Sequence, residues 1–153
     1  MARRIRQVIT YNTLDLQPNI AIGIKLPYSN GNGGLFQLSY STHDQAISNL
    51  KNLILTRKGE RYMQPTFGTD LYDILFENNV EDLPNIVRDM LTTDIAFWLP
   101  YIIINDIVIK QKTEFDTESI GHNLQISLIV QVGPNGANVP IIITVTPSSI
   151  TVQ

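Results

Sequence analysis

The chain has 153 residues, of which 43% are hydrophobic and 16% are charged, and its formal net charge is −3. This length suits one domain with a packed core, and the lack of a basic excess argues against a nucleic-acid-binding surface. Cysteine is absent, which excludes disulfides, thiolate zinc sites and thiol nucleophiles. No segment has the pattern of a signal peptide or approaches the ~20 apolar residues that span a bilayer, so we expect no membrane contact.

Three segments are expected along the chain: an extended arm over residues 1–19, a single domain over residues 20–146 and a tail over residues 147–153. Within the domain, alternation of apolar and polar residues predicts a half-buried strand over residues 20–26. Its inward side chains are Ile20, Ile22, Ile24 and Leu26. A second short strand is predicted over residues 35–40. Its apolar face consists of Phe36, Leu38 and Tyr40.

Three helices are predicted from apolar residues at helical spacing. The first covers about residues 43–56 and follows a capping-box pattern that begins at Thr42. A short helix is predicted at about residues 70–77. The third covers about residues 83–98, with Asp82 as its N-cap and a proline in its first turn. The residues expected on the buried face of the third helix are Ile86, Val87, Met90, Leu91, Ile95, Phe97 and Trp98.

Strands are predicted again in the last part of the chain. The first covers residues 101–113 and contains a bulge or bend at Asn105-Asp106, and the others cover residues 122–132 and 138–146. Short loops connect these strands, so they are expected to pair antiparallel. The order of strands, helices and strands predicts an α+β domain, in which about three helices pack on one face of an antiparallel or mixed sheet.

Residue patterns for catalysis and metal binding are weak. His43 and His122 are the only histidines, and neither has a second ligand at metal spacing, so we expect no metal and no cofactor. The Gly-x-Ser-x-Gly pattern of a nucleophilic serine is absent. Carboxylate pairs that would serve a glycosidase exist, but acidic residues at helical spacing, such as Asp70, Asp73 and Glu77, are also typical of a solvated helix face.

The segment between the first two helices, residues 57–69, is the most informative part of the sequence. The residues that shape this loop are Gly59, Pro65, Phe67 and Gly68. The glycines and the proline set its turns, and the aromatic ring can pin it to the core. Arg61 can present its planar guanidinium group to a carboxylate or to backbone carbonyls. Residue types leave two interpretations open: an internal network of Glu60 and Arg61 that holds the loop, or an interface with another protein.

The same segment resembles a known family. The matching residues are Asn49-Leu50, Leu55-Thr56, Gly59-Glu60-Arg61, Pro65, Phe67-Gly68 and Leu75-Phe76-Glu77, with Gly23-Ile24-Lys25-Leu26-Pro27 upstream. On these residues the chain is similar to the sheath-initiator subunits of contractile injection systems. They include the small wedge protein of T4-like phage baseplates and its relatives in type VI secretion. The similarity covers about residues 20–135 and is densest over residues 45–77.

The resemblance implies a structural protein rather than an enzyme, located in the tail baseplate of a virion and assembled in the cytoplasm of the host bacterium. The partners it implies are the larger baseplate wedge proteins and the tail sheath protein, with the tail tube as a further neighbour. The 57–69 loop is expected to dock on the helical core bundle of the larger wedge proteins. The residues expected to make this contact are Gly59, Glu60, Arg61, Pro65, Phe67 and Gly68.

The strand over residues 138–146 is the expected contact with the sheath, because the family joins the first sheath ring through strand exchange at a sheet edge. This strand is rich in Val and Ile, and Pro140 alone protects it from pairing. The residues assigned to the contact are Val139, Ile141, Ile143 and Val145. An ordinary half-buried strand fits the pattern equally well. For the whole chain, the alternatives are a baseplate-borne, lysozyme-like cell-wall hydrolase and a sheath-like adaptor at the other end of the tail.

Overall fold

Three helices and six strands follow one another in the part of the chain that the computed structural model describes. That part comprises residues 15, 17, 19–26, 36–74, 82–112, 123–133, 136–146 and 149–152. The elements are β1 (Gly23–Ile24), β2 (Leu38–Ser39), α1 (Thr42–Leu55), α2 (Leu71–Ile74), α3 (Leu83–Trp98), β3 (Ile102–Lys112), β4 (Asn123–Val132), β5 (Asn138–Thr146) and β6 (Ser149–Val152). This is the α+β class predicted from the sequence. The chain divides into two compact units, residues 1–48 and 49–153.

The first unit contains a short antiparallel ladder in place of the two longer strands predicted over residues 20–26 and 35–40. β1 and β2 pair over two residues each, with Ile24 opposite Leu38. Of the predicted apolar faces, Ile22 and Leu26 are half-buried, whereas Ile20, Ile24, Phe36, Leu38 and Tyr40 are exposed, and Ser39 is buried instead. Alternation indicates which face could be buried, but only two residues of each segment find a strand partner. Of the predicted arm, all but residues 15, 17 and 19 lies outside the described residues.

α1 begins at Thr42, one residue earlier than predicted, and its first turn is capped by a side chain from the N-terminal segment. A carboxylate oxygen of Asp15 accepts hydrogen bonds from the backbone N–H of Thr42 at 2.7 Å and from its hydroxyl at 2.8 Å. This carboxylate satisfies a donor that the start of a helix leaves unpaired. The apolar stripe expected for α1 is Ala46, Ile47, Leu50, Leu53 and Ile54, and all of these side chains are buried except Ile47, which is half-buried.

α3 covers the predicted residues and packs against β3. Its buried side chains are Leu83, Val87, Leu91 and Ile95. This spacing defines one inward stripe, so Ile86 and Phe97, which the sequence assigned to the buried face, lie outside the stripe and are exposed. Asp82 is the N-cap residue, but its side chain accepts a hydrogen bond from Asn85 Nδ2 at 2.6 Å and makes none to the helix backbone. α2 is confirmed over Leu71–Ile74, and residues 75–77 lie outside the described part.

The second unit is built on a four-stranded antiparallel sheet with the order β3-β4-β5-β6. The predicted bulge is confirmed at Asn105, where the β3–β4 register shifts between Ile104 and Asp106. Side chains of the inward face form much of the core; they are Ile102, Ile107, Leu124, Ile126, Leu128, Val130, Ile141, Ile143, Val145 and Ile150. β6 lies in the segment predicted to be a tail, because four residues give too short an alternation to indicate a strand.

Candidate functional site

The 57–69 loop is closed at its base by backbone bonds between its two ends. Arg57 and Thr69 form an isolated parallel bridge, and the N–H of Thr69 donates to the carbonyl of Thr56 at 2.9 Å. The buried hydroxyl of Thr69 donates to the carbonyl of Ile54 at 3.1 Å, which ties the exit of the loop to the last turn of α1. These bonds fix where the loop leaves and rejoins the helical part of the unit.

Two glycines in left-handed conformations shape the loop, as the sequence predicts. Gly68 has φ +120°, and an added Cβ would lie 2.4 Å from the carbonyl oxygen of Thr56, so no other residue fits there without movement of the backbone. Gly59 has φ +87°, with open space where a side chain would be. The N–H of Gly59 donates to the carbonyl of Pro65 at 2.7 Å, which closes the outer part of the loop.

Two basic residues at the start of the loop are compensated by carboxylates. Lys58 Nζ lies 2.9 Å from Asp70 Oδ2 and 3.0 Å from Asp94 Oδ2, so it links the loop to the residue before α2 and to α3. Partial burial on its own lowers the pKa of Lys58, but the bonds and charges of the two carboxylates outweigh it and raise the pKa above its ordinary value of 10.5. Arg57 pairs with Asp73 of α2.

Glu60 and Arg61 do not pair with each other. Glu60 Oε2 accepts the backbone N–H of Arg57 at 3.1 Å, which stabilises the first turn of the loop. Arg61 Nη2 donates to Asn52 Oδ1 of α1 at 3.2 Å, and its guanidinium carbon lies 3.8 Å from the centre of the Phe67 ring. Arg61 therefore braces the loop from within, while its side chain is only half-buried.

Phe67 pins the loop to α3, in agreement with the expectation from the sequence. Its ring meets Trp98 edge-on, with 5.1 Å between ring centroids and 68° between the planes. Phe97 makes a second edge contact with Trp98, with 5.0 Å between ring centroids. A row of four side chains thus runs from the loop to the end of α3: Arg61, Phe67, Trp98 and Phe97.

The outermost part of the loop is apolar. Tyr62 is 95% exposed and Met63 is 87% exposed, and they lie in the turn between Arg61 and Gln64, where the N–H of Gln64 donates to the carbonyl of Arg61 at 3.2 Å. The sequence-based site omitted both residues, together with Asn52, Lys58 and Trp98. An irregular loop has no hydrophobic periodicity from which exposure could be predicted. The one available signal was the presence of two large apolar side chains between Gly59 and Pro65.

The residues assigned to the sheath contact lie in β5. The side chains of Ile141, Ile143 and Val145 are buried in the core, and that of Val139 is half-buried. At Ile141, Ile143 and Val145, contact with another chain is therefore confined to the strand backbone. β5 is an inner strand where Ile143–Thr146 pairs with β6, whereas Asn138–Ile142 has no second neighbour among the strands that the structure describes.

Neither a metal centre nor a membrane-spanning helix is found in the described part of the chain. No group of three or more His, Cys, Asp or Glu side chains lies close enough to hold a metal ion among those residues. Of the helices described, none is long and apolar enough to cross a membrane.

Comparison with known proteins identifies the family. The model of the baseplate wedge protein gp25 family matches residues 41–134, which is more than half of the chain and includes the whole 57–69 loop. No curated protein matches in sequence.

Two solved structures share the fold. The anti-feeding prophage baseplate contains a chain that is 19% identical with a TM-score of 0.58, and the match covers 71% of this chain and 82% of that one. A protein described as a candidate tail lysozyme from Geobacter sulfurreducens is 17% identical with a TM-score of 0.56, and the match covers 69% of this chain and 91% of the other.

The α+β fold and the matched region define a structural subunit of the baseplate of a contractile, tail-like particle. The chain belongs to the family of the baseplate wedge protein gp25.

Proposed function

We propose that this protein is a non-catalytic wedge subunit that docks on the larger wedge proteins through the 57–69 loop and starts the tail sheath by offering a sheet edge. The observation that carries the docking proposal is the construction of the loop. Its base and Phe67 are fixed to the helices, while Arg61 stays half-exposed with one donor on the neutral side chain of Asn52. A guanidinium group has five N–H donors, so Arg61 retains donors for a partner's carboxylate.

Charge distribution around the loop supports Arg61 as the residue that meets a partner. Arg57 and Lys58 are already paired with Asp73, Asp70 and Asp94. Among the residues described, no carboxylate forms an ion pair with Arg61. A carboxylate supplied by a wedge protein would therefore form a new pair without breaking an existing one.

Co-purification tests the docking proposal. The chain is mixed with the two large wedge proteins of its particle, as wild type and as Arg61→Glu, and the amount retained is measured. Reversal of a paired charge at an interface costs several kcal/mol, so the variant should be lost while the wild type is retained. Lys110→Glu, on the exposed part of β3, is the matched control and should be retained. If Arg61→Glu binds as well as the wild type, Arg61 is an internal brace only.

The sheath part of the proposal is supported by the unpaired stretch of β5. β6 covers only Ile143–Thr146, so an incoming strand could pair with the backbone of Asn138–Ile142 in line with β6. Proline has no N–H, so it fits in a strand only where the backbone nitrogen donates no hydrogen bond to the neighbouring strand. Pro140 lies opposite Ile129 of β4, which implies that its nitrogen faces away from β4. With the two-residue period of a strand, Ile142 then directs its N–H to the open edge.

The other edge of the sheet is less suited to pairing. Arg88 Nη2 of α3 donates to the carbonyl of Ile107 in β3 at 2.9 Å. A side chain of the same protein therefore already uses one backbone acceptor of that strand. The bulge at Asn105 also interrupts the regular spacing of β3. Between β3 and the uncovered part of β5, the stretch Asn138–Ile142 is therefore the one we assign to the sheath.

Sheath assembly on purified baseplates tests this assignment. Ile142→Pro removes the donor at the proposed edge, whereas Ile142→Thr keeps it and serves as the control. Baseplates that carry Ile142→Pro should bind no sheath ring by electron microscopy, and those that carry Ile142→Thr should start sheaths normally. Normal sheaths on Ile142→Pro baseplates would place the contact elsewhere.

A cell-wall hydrolase is the alternative function, because the Geobacter sulfurreducens protein with the same fold is described as a candidate tail lysozyme. Clearing of a peptidoglycan suspension by the purified chain distinguishes the two functions. We expect no clearing, because Asp70 and Asp94, which approach each other at Lys58, have their charges compensated by its ammonium group.

A further inference from the structure

The most exposed large apolar side chains in the described part of the protein lie together at the tip of the 57–69 loop. Tyr62 and Met63 exceed every other such residue in exposure, and the next is Phe97 at 74%. Exposure of two adjacent apolar side chains to water is unfavourable in free energy. A loop that contacts no other protein could carry polar residues at these positions instead. The presence of Tyr62 and Met63 calls for a partner that covers them.

Backbone hydrogen bonds define a turn at the tip. The bond from the Gln64 N–H to the Arg61 carbonyl, at 3.2 Å, places Tyr62 and Met63 at the two central positions of a turn. The N–H of Phe67 donates to the carbonyl of Gln64 at 3.0 Å and continues the turn toward the base of the loop. A tip that is ordered before binding loses little conformational entropy when a partner covers it.

The side chains below the tip hold it away from the body of the unit. Arg61 is fixed by Asn52 and by the Phe67 ring, and that ring rests on Trp98. These contacts direct polar and aromatic groups inward and leave the next two residues projecting into solvent. Tyrosine and methionine are both enriched at protein interfaces, and the flexible thioether of methionine adapts to irregular apolar pockets.

We propose that Tyr62 and Met63 are the apolar anchor of the loop, which inserts into an apolar pocket on a neighbouring baseplate protein, and that Arg61 positions this anchor. The inference rests on the proposed docking of the 57–69 loop and assigns the binding energy within it. The pocket that fits has aliphatic walls for Met63, a hydrogen-bonding group at the depth of the Tyr62 hydroxyl and a carboxylate at its mouth beside Arg61. Because the chain belongs to the baseplate wedge family, we assign this pocket to another subunit of the same baseplate.

Affinity for the larger wedge proteins tests the anchor. The double variant Tyr62→Ser, Met63→Ser should bind at least about 30-fold more weakly, which corresponds to a hot-spot loss at an interface. The control is the double variant Ile86→Ser, Val108→Thr, which removes two exposed apolar side chains from α3 and β3 and should bind like the wild type. Circular dichroism confirms that both variants are folded. Unchanged affinity of the tip variant overturns the proposal.

Chemical protection of the tip gives a second measurement that does not require a known partner. The chain has no cysteine, so Met63→Cys introduces a single thiol at the tip. This thiol should react rapidly with a maleimide in the free chain and at least about tenfold more slowly in assembled baseplates, because the pocket excludes the reagent. Equal rates in the two states overturn the proposal. Protection in the isolated chain at high concentration would indicate a second copy as the occupant and would overturn it as well.

The two proposals fail in different ways. If Arg61→Glu abolishes binding while the tip variant binds normally, the loop docks but the anchor is wrong. If the tip variant loses binding while Arg61→Glu retains it, the anchor is supported and the role of Arg61 in docking is wrong. Binding that neither change affects overturns both proposals.

Discussion

The guanidinium group of Arg61 stacks on the ring of Phe67, with 3.8 Å between the guanidinium carbon and the ring centre. The same ring also meets Trp98 edge-on, and Trp98 is the only tryptophan of the chain. The Phe67 ring therefore attaches the loop to α3, in addition to the ion pair between Lys58 and Asp94. Because that ring also supports Arg61, its loss should affect both the stability of the unit and the position of the arginine.

Phe67→Ala should lower the free energy of unfolding by about 2–3 kcal/mol, because it removes a half-buried ring that contacts both a cation and a tryptophan. Phe97→Ala is the matched control, since Phe97 also meets Trp98 edge-on but is mostly exposed, and it should cost about 1 kcal/mol or less. Chemical denaturation gives both values.

Fluorescence of Trp98 provides a separate measure of the same contact. Emission should shift to longer wavelength in Phe67→Ala, because removal of the ring opens one side of the indole to water. Equal destabilisation by the two alanine variants would show that Phe67 does not pin the loop.

The two glycines of the loop should respond differently to the same substitution. Gly68→Ala places a Cβ 2.4 Å from the carbonyl oxygen of Thr56 in addition to imposing a positive φ, so we expect a loss of about 3 kcal/mol or more. Gly59→Ala meets open space and carries only the cost of its left-handed conformation, about 1–2 kcal/mol. Thermal unfolding measures both. A Gly68→Ala variant as stable as Gly59→Ala would contradict the close approach of the loop to Thr56.

The sequence predicted the regular elements well where periodicity and burial coincide. Every second side chain is buried from Leu124 to Val130 in β4 and from Ile141 to Val145 in β5, and in α3 one inward stripe fixes the helix position. The sequence-based prediction failed where the extent of a strand depends on pairing with another strand rather than on the hydrophobic pattern. β1 and β2 are short because few residues find a partner, and β6 was missed because Ser149–Val152 is too short for an alternation to stand out.

At the site, glycine and proline positions predicted the shape of the loop because their backbone preferences act locally. The partners of the loop could not be predicted, since Asn52, Asp94 and Trp98 reach it through tertiary contacts that have no sequence spacing. The same limit applies to the exposure of Tyr62 and Met63, which depends on which neighbouring side chains turn inward.

Two adjacent isoleucines of β5, Ile142 and Ile143, lie on opposite faces of the sheet and should differ in their contribution to stability. Ile143 is fully buried, so Ile143→Ala should cost about 2–4 kcal/mol through lost burial and the cavity that remains. Ile142 is 39% exposed on the opposite face, and Ile142→Ala should cost about 1 kcal/mol or less. Urea denaturation checks both values. Similar losses for the two variants would contradict the assignment of the inward face.

Lys58 should make the stability of the protein sensitive to alkaline pH. Its pKa is raised in the folded state, because the carboxylates of Asp70 and Asp94 outweigh the opposing effect of partial burial. A raised folded pKa means that its contribution is complete below the ordinary value near 10.5 and is lost as the pH rises through the folded value. The stability difference between wild type and Lys58→Met should therefore be largest at neutral pH and should shrink above about pH 10.5.

At neutral pH we expect Lys58→Met to cost about 1–3 kcal/mol, because it leaves the Asp94 side chain, which is only 12% exposed, without its cation. Lys110→Met removes an exposed lysine and should change stability by less than about 0.5 kcal/mol at any pH in this range. Unfolding free energies of the three proteins between about pH 7 and about pH 11.5 test the prediction. A Lys58→Met curve that stays parallel to the wild type through about pH 11 would mean that the ammonium group of Lys58 does not link the loop to Asp70 and Asp94.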